Sequence, residues 1–138
     1  MEVVADSNII FSALISGKSS YLDIFRVVKI YVPNFIFLEI EKYEARIIKK
    51  TKIKNTFRTF VRDLFTQVIV IPKLAIAPES LARAYDLCSD IDEKDTPFLA
   101  LSIELNIPLW TNDKLLIDGL RNKGYINIID SEAIFALL

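Results

Sequence analysis

Apolar residues recur along this chain with two periods. Short β-branched runs alternate with longer stretches whose apolar positions fall three and four apart, a pattern that predicts an α/β domain with a largely parallel sheet. Glu2 to Ala5 reads as the first strand and ends at Asp6. Asn8 to Ser16 and Ser19 to Lys29 have helical spacing, separated by Gly17, and Ile30 to Val32 reads as the second strand. Pro33 and Asn34 then open a helix with Ile36, Ile40, Tyr43 and Ile47 on one face, and Asn55 to Phe65 continues as another helix. Val68 to Ile71, bounded by Pro72, is the third strand. Pro78 and Glu79 start a helix running to about Cys88, and Asp90 to Lys94 reads as a polar loop. Asp95-Thr-Pro has the look of a helix N-cap with proline in the first turn, leading into Phe98 to Leu105. Pro108 to Thr111 is the fourth strand, and Asp113 to Lys123 is a helix closed by Gly124. Ile126 to Ile129 is the fifth strand and Ser131 to Leu138 a final helix. No repeat, low-complexity tract or linker interrupts the pattern, so residues 1–138 are expected to form one domain.

Composition narrows the chemistry chiefly through an absence. The chain has no histidine, which removes Ser-His-Asp and Cys-His catalysis and histidine-based zinc sites. Its single cysteine, Cys88, continues the helical stripe of Leu81, Ala84 and Tyr85 and reads as core. One cysteine makes no internal disulfide, no stretch approaches the roughly 20 apolar residues needed to span a bilayer, and no signal segment is visible. A cytoplasmic location without membrane attachment is the expectation. A hydrophobic content of 52% allows a sizeable core and leaves apolar surface for a partner. The net charge of −1 is unlike that of a pure nucleic-acid-binding module. Basic residues are nonetheless concentrated at Arg46, Lys49, Lys50, Lys52 and Lys54. Taken alone that run reads first as a solvated helical face, and it gains weight as a nucleic-acid contact only beside a carboxylate site that must attract phosphates.

In parallel α/β sheets, ligands bind beyond the carboxyl ends of the strands. Asp6 follows strand one and Asp113 follows strand four, so parallel pairing would bring them out at one edge. Asp95, with Asp92 just before it, and Glu39 lie in helices or connections able to reach that edge. Asp6, Asp95 and Asp113 each precede a helix, where a capping role worth roughly 1 kcal/mol explains any one of them. Glu39 lies close to the apolar face of its helix, where a carboxylate needs a partner. Several carboxylates meeting at one point repel unless cations hold them, and all-oxygen ligand sets suit Mg²⁺ or Mn²⁺. Such ions activate water for attack on phosphorus without any histidine.

The opening Val3-Val4-Ala5-Asp6-Ser7-Asn8-Ile9-Ile10-Phe11-Ser12-Ala13-Leu14 resembles the start of PIN domains, the fold of many VapC-type toxin ribonucleases. Asp92-Glu-Lys-Asp95-Thr-Pro-Phe-Leu-Ala-Leu resembles that family's second acidic motif, and Pro108-Leu-Trp-Thr-Asn-Asp113 its third. With Glu39 the matches span nearly the whole chain in the family's order, most like solitary prokaryotic PIN proteins. The resemblance implies helices around a parallel sheet of about five strands in the order 3-2-1-4-5. It implies catalysis and metal binding by Asp6, Glu39, Asp95 and Asp113, with Asp92 as a further ligand or an orienting group. Asn8 and Thr111 match positions that hydrogen-bond the carboxylates. It implies Mg²⁺ or Mn²⁺ as cofactor, an RNA substrate, a homodimer, and a small antitoxin as partner.

The expected function is therefore a divalent-metal endoribonuclease, the toxin of a toxin–antitoxin pair. A nuclease for DNA flaps or single strands and a non-catalytic scaffold binding RNA or protein stay open as alternatives. A phosphoacceptor receiver domain is disfavoured, because Asp6 is single after strand one and strand three ends in Ile71-Pro72.

Overall fold

The computed structural model describes residues 1–138. Five parallel strands form one sheet in the order β3-β2-β1-β4-β5. They are β1 (Glu2–Ala5), β2 (Lys29–Pro33), β3 (Val68–Ile71), β4 (Leu109–Trp110) and β5 (Ile128–Ile129). The helices are α1 (Ser7–Ser16), α2 (Ser19–Val27), α3 (Phe35–Lys50), α4 (Phe57–Thr66), α5 (Pro78–Asp92), α6 (Thr96–Leu105), α7 (Lys114–Asn122) and α8 (Ser131–Phe135). The fold class and strand order are those expected from the sequence.

β1 is the central strand, and Val3, Val4 and Ala5 are fully buried. A strand covered on both faces needs a continuous apolar run rather than an alternating one, which is what Val-Val-Ala supplies. The chain steps outward from β1 to β2 and β3, then crosses back to place β4 on the other side of β1. With right-handed crossovers, that reversal sends the earlier helices to one face and α5, α6 and α7 to the other. Accordingly α1 packs on α3 and α4, while α5 packs on α6 and α7. The reversal also leaves a crevice between the carboxyl ends of β1 and β4. The Asp6 N–H donates to the Trp110 carbonyl (3.1 Å), tying the two strand ends together there.

Several boundaries differ from those read in the sequence. The stretch 90–94 is not a loop: α5 continues to Asp92, and a 3₁₀ turn over Glu93–Asp95 connects it to α6. Its residues are polar because most of this end of α5 faces solvent, so apolar periodicity has nothing to mark. β4 and β5 shrink to two residues each, because pairing ends where the chain turns into the following helix. α2 ends at Val27 and α8 at Phe135, each earlier than their apolar residues suggest. α4 begins only at Phe57, because residues 51–56 are spent bridging back to α1. There the Thr51 hydroxyl donates to the Leu14 carbonyl (2.8 Å) and the Lys52 N–H donates to the Ile15 carbonyl (2.8 Å). Gly17 ends α1 at φ +62°, and a Cβ on it would stand 2.4 Å from Ile53. Both the left-handed backbone and the contact therefore require glycine.

Candidate active site

Each strand-end acid is placed by a local rule. Asp6 caps α1, its Oδ1 accepting from the Ile9 N–H (2.9 Å). Asp113 caps α7, its Oδ1 accepting from the Leu116 N–H (3.2 Å). The segment carrying Asp113 is fixed by the residues before it. Trp110 is fully buried and donates its indole N–H to the Ser131 hydroxyl (3.0 Å). Asn112 pairs reciprocally with Ser131: its Nδ2 donates to the hydroxyl (2.7 Å) and its Oδ1 accepts from the Ser131 N–H (2.8 Å). Thr111, also buried, accepts the Asp113 N–H on its hydroxyl (3.1 Å). Trp-Thr-Asn-Asp is thus a self-supporting turn locked to the start of α8.

Asp95 stands at the N-cap position of α6 but makes no capping bond. Its Oδ2 is buried without a hydrogen-bond partner. Burial raises its pKa to about 7, and the charges of Asp6, Asp92, Asp113 and Glu39 push in the same direction. Four other carboxylates therefore lie near enough to act on the charge of this one side chain. Asp6, 2% exposed, is raised to about 6, first by burial and further by Asp113. Hydrogen bonds from Thr111 and from the backbone of Ile9 and Asn8 pull it partly back. Glu39 is 5% exposed on α3 and pairs with no cation. The ion pairs of the protein, Arg26–Asp23, Lys29–Glu2 and Lys123–Asp90, all lie elsewhere.

Above these acids lies a cavity of about 370 Å³. Glu39, Asp92, Asp95 and Asp113 line it, together with Asn8 and Arg46. Asp6 is not among its lining residues; it is buried and lies next to Thr111. Asn8 meets Asp6 through its backbone, and its side chain is exposed on the cavity wall. Of the basic residues singled out in the sequence, only Arg46 reaches this cavity. Lys52 lines an adjoining one. Lys49 and Lys50 are exposed at the end of α3, and Lys54 donates its ammonium to the Lys49 carbonyl (3.1 Å). Lys94 and Tyr43, which the sequence reading passed over, also line the acidic cavity. By its spacing Tyr43 is one more apolar position of α3, and Lys94 falls in a stretch whose polar sequence predicts a loop.

The donor set fits a hard divalent cation. The neighbouring carboxylates repel the charged form of Asp95, and that residue has no capping bond to offset the repulsion. A bound cation relieves that repulsion and supplies a partner for the orphaned Asp95 oxygen. No three acids are drawn together closely enough to enclose an ion by themselves. Mg²⁺ keeps several waters and takes only one or two carboxylates directly, so it does not require three acids closed around it.

No helix is long and apolar enough to cross a membrane. A comparison with curated proteins gives no match. Among solved structures, the chain is similar to one in the crystal structure of VapBC2 from Rickettsia felis bound to a DNA fragment from their promoter. Identity is 16%, the TM-score is 0.60, and the likeness covers 95% of this chain and 98% of that one, which shows a shared fold. The model of the PIN domain family matches residues 4–130. With nearly the whole sequence covered by that match, this chain belongs to the PIN domain family.

Proposed function

We propose that the protein is a divalent-metal-dependent endoribonuclease that hydrolyses phosphodiester bonds in the acidic cavity. The observation that carries this reading is Asp95, which has a buried, unpartnered oxygen while the charges of four further carboxylates act on it. A structural role explains each acid singly but not their convergence without a cation among them.

Asp6, Glu39, Asp95 and Asp113 would hold Mg²⁺ or Mn²⁺, with Asp92 at the rim as a further ligand or an orienting group. When bound, such an ion lowers the pKa of its water and stabilises charge on the attacked phosphate. The protein's own residues perform the positioning. Thr111 favours the charged form of Asp6 and fixes the start of the Asp113 turn, so one buried threonine serves both acids. Asn8 offers its amide at the cavity wall. Arg46 and Lys94 line the cavity without pairing to its acids, which leaves their charges available to a substrate phosphate.

The partner in this reading is a small antitoxin protein, in keeping with the fold shared with the VapBC2 chain. Half-exposed Phe37, stacked on Phe65, and Leu38 offer apolar surface for it on α3. Homodimerisation is the other expected association, and light scattering of the purified chain tests it. Function is tested by incubating the protein with end-labelled single-stranded RNA and DNA of matched sequence, with Mn²⁺ or with EDTA. Cleavage of RNA that needs the metal is the expected result. Cleavage of DNA alone would redirect the reading to a DNA nuclease, and cleavage of neither would point to a binding scaffold.

A further inference from the structure

A second cavity of about 540 Å³ opens beside the acidic one and shares Ser12 and Ile15 with it as wall residues. The two are therefore neighbouring compartments of one groove. Their chemistry is opposite. The first is lined by four acids, whereas the second has no acid among its lining residues and two lysines, Lys18 and Lys52. Both lysines are exposed, and neither takes part in an ion pair.

The fold holds this pair in place. Lys18 follows the left-handed Gly17, and Lys52 precedes Ile53, whose side chain packs where a Cβ on residue 17 would stand. The Lys52 N–H is anchored on the Ile15 carbonyl. Two residues 34 positions apart are thus set at one rim by a contact that only glycine permits. Tyr21 and Phe135 line the same cavity and meet edge to face with ring centroids 5.3 Å apart. Phe135 in turn packs against the buried Trp110 (6.1 Å).

Unpaired cations sharing a cavity with partly buried aromatic rings are a combination that binds single-stranded nucleic acid, through phosphate contacts and base stacking. We infer that this second compartment is a subsite for the polynucleotide strand adjoining the phosphate at the acidic cavity. Lys18 and Lys52 take its backbone, and Tyr21 with Phe135 takes a base. The inference rests on the nuclease reading for what happens next door, whereas strand binding by the groove is measured separately.

The test is fluorescence anisotropy of single-stranded ribo- and deoxyribo-oligonucleotides in EDTA, which halts cutting, across a salt series. In the Lys18→Gln/Lys52→Gln protein the slope of log affinity against log salt should shrink by about 1.4, two contacts at about 0.7 each. Lys49→Gln/Lys50→Gln makes the same charge change outside both cavities and should leave the slope near the wild-type value. Photocrosslinking of a bromouridine-substituted strand should mark Tyr21 or Phe135. Equal losses from the two lysine pairs, an unchanged slope in the first, or no binding of either strand by the wild type would overturn the subsite. Parallel Mn²⁺ cleavage assays keep the two readings apart. Cutting with an unchanged slope sinks the subsite alone, and a reduced slope without cutting sinks the nuclease alone. Comparing the two oligonucleotide types shows whether the groove prefers ribose or deoxyribose.

Discussion

Asp6 and Asp130 occupy equivalent places in the fold and sit in very different surroundings. Each follows a strand of the same sheet, caps the next helix, and accepts from the N–H three residues on at 2.9 Å. Asp130 does this in the open, at the edge strand β5. Asp6 does it beside the central strand, 2% exposed, with its pKa raised to about 6. The cap accounts for Asp130 completely. It does not account for burying Asp6 among other carboxylates, and that excess is the physical signature of the site.

The largest expected effect separates these two acids. Asp6→Asn, Asp95→Asn, Asp113→Asn and Glu39→Gln should each lower metal-dependent cleavage by at least about a hundredfold, the scale on which a preorganised electrostatic group acts. Asp130→Asn should cut at the wild-type rate. The amide preserves size and capping, so circular dichroism should show all five variants folded. Folded Asp6→Asn protein that still cuts normally would reduce Asp6 to a cap like Asp130.

Next in size is the framework beneath the acids. Trp110→Ala should cost about 3–5 kcal/mol in chemical denaturation, as removal of a buried aromatic does, and should reduce activity with it. Asn112→Ala and Ser131→Ala remove the clasp on the Asp113 turn without opening the core. Each should cost about 1 kcal/mol and lower cleavage more than stability. Equal small losses of stability with unchanged cleavage would show that the clasp only holds α8.

A smaller effect concerns pH. The folded pKa values of Asp6 and Asp95 lie above the ordinary carboxylate value of 3.8, so the native state binds more protons than the unfolded chain between about pH 4 and pH 7. Stability from these groups is present at the acid end of that window and is lost as pH rises through the folded pKa values. Melting temperatures in EDTA should therefore carry a downward component across this range, and Asp95→Asn should flatten it. Mn²⁺ should also flatten it by stabilising the ionised native state. A melting curve as pH-dependent in Asp95→Asn as in the wild type would remove Asp95 as a source of strain. The smallest effect returns to the edge strand. Asp130→Ala should lose about 1 kcal/mol of stability and no activity.

The same contrast explains what could be read from the sequence. Strand ends and caps were legible because an apolar run followed by aspartate is a local signal, so Asp6 and Asp113 were placed at one sheet edge. Glu39 was legible from its closeness to the apolar face of α3. Asp95 looked like another cap; only the fold shows its side chain making no capping bond and left with an orphaned oxygen. Lys18, Tyr21, Lys94 and Phe135 carried no signal at all. They come from three separate segments, and each resembles an ordinary surface or core residue until the crossovers bring them to one groove. The basic run from Arg46 to Lys54 marked a real region but mixed residues that reach the cavities with residues that do not, since helix phase disperses consecutive side chains around the axis.

The most direct test of the central claim, that these acids form a divalent-cation site, is calorimetric titration of Mn²⁺ at about pH 7.5 into the wild type, Asp95→Asn and Asp130→Asn. The wild type and Asp130→Asn should bind with the same affinity, and Asp95→Asn should bind at least about tenfold more weakly, a loss of about 1.4 kcal/mol. Absence of binding by the wild type, or equal affinity in all three proteins, would contradict the claim.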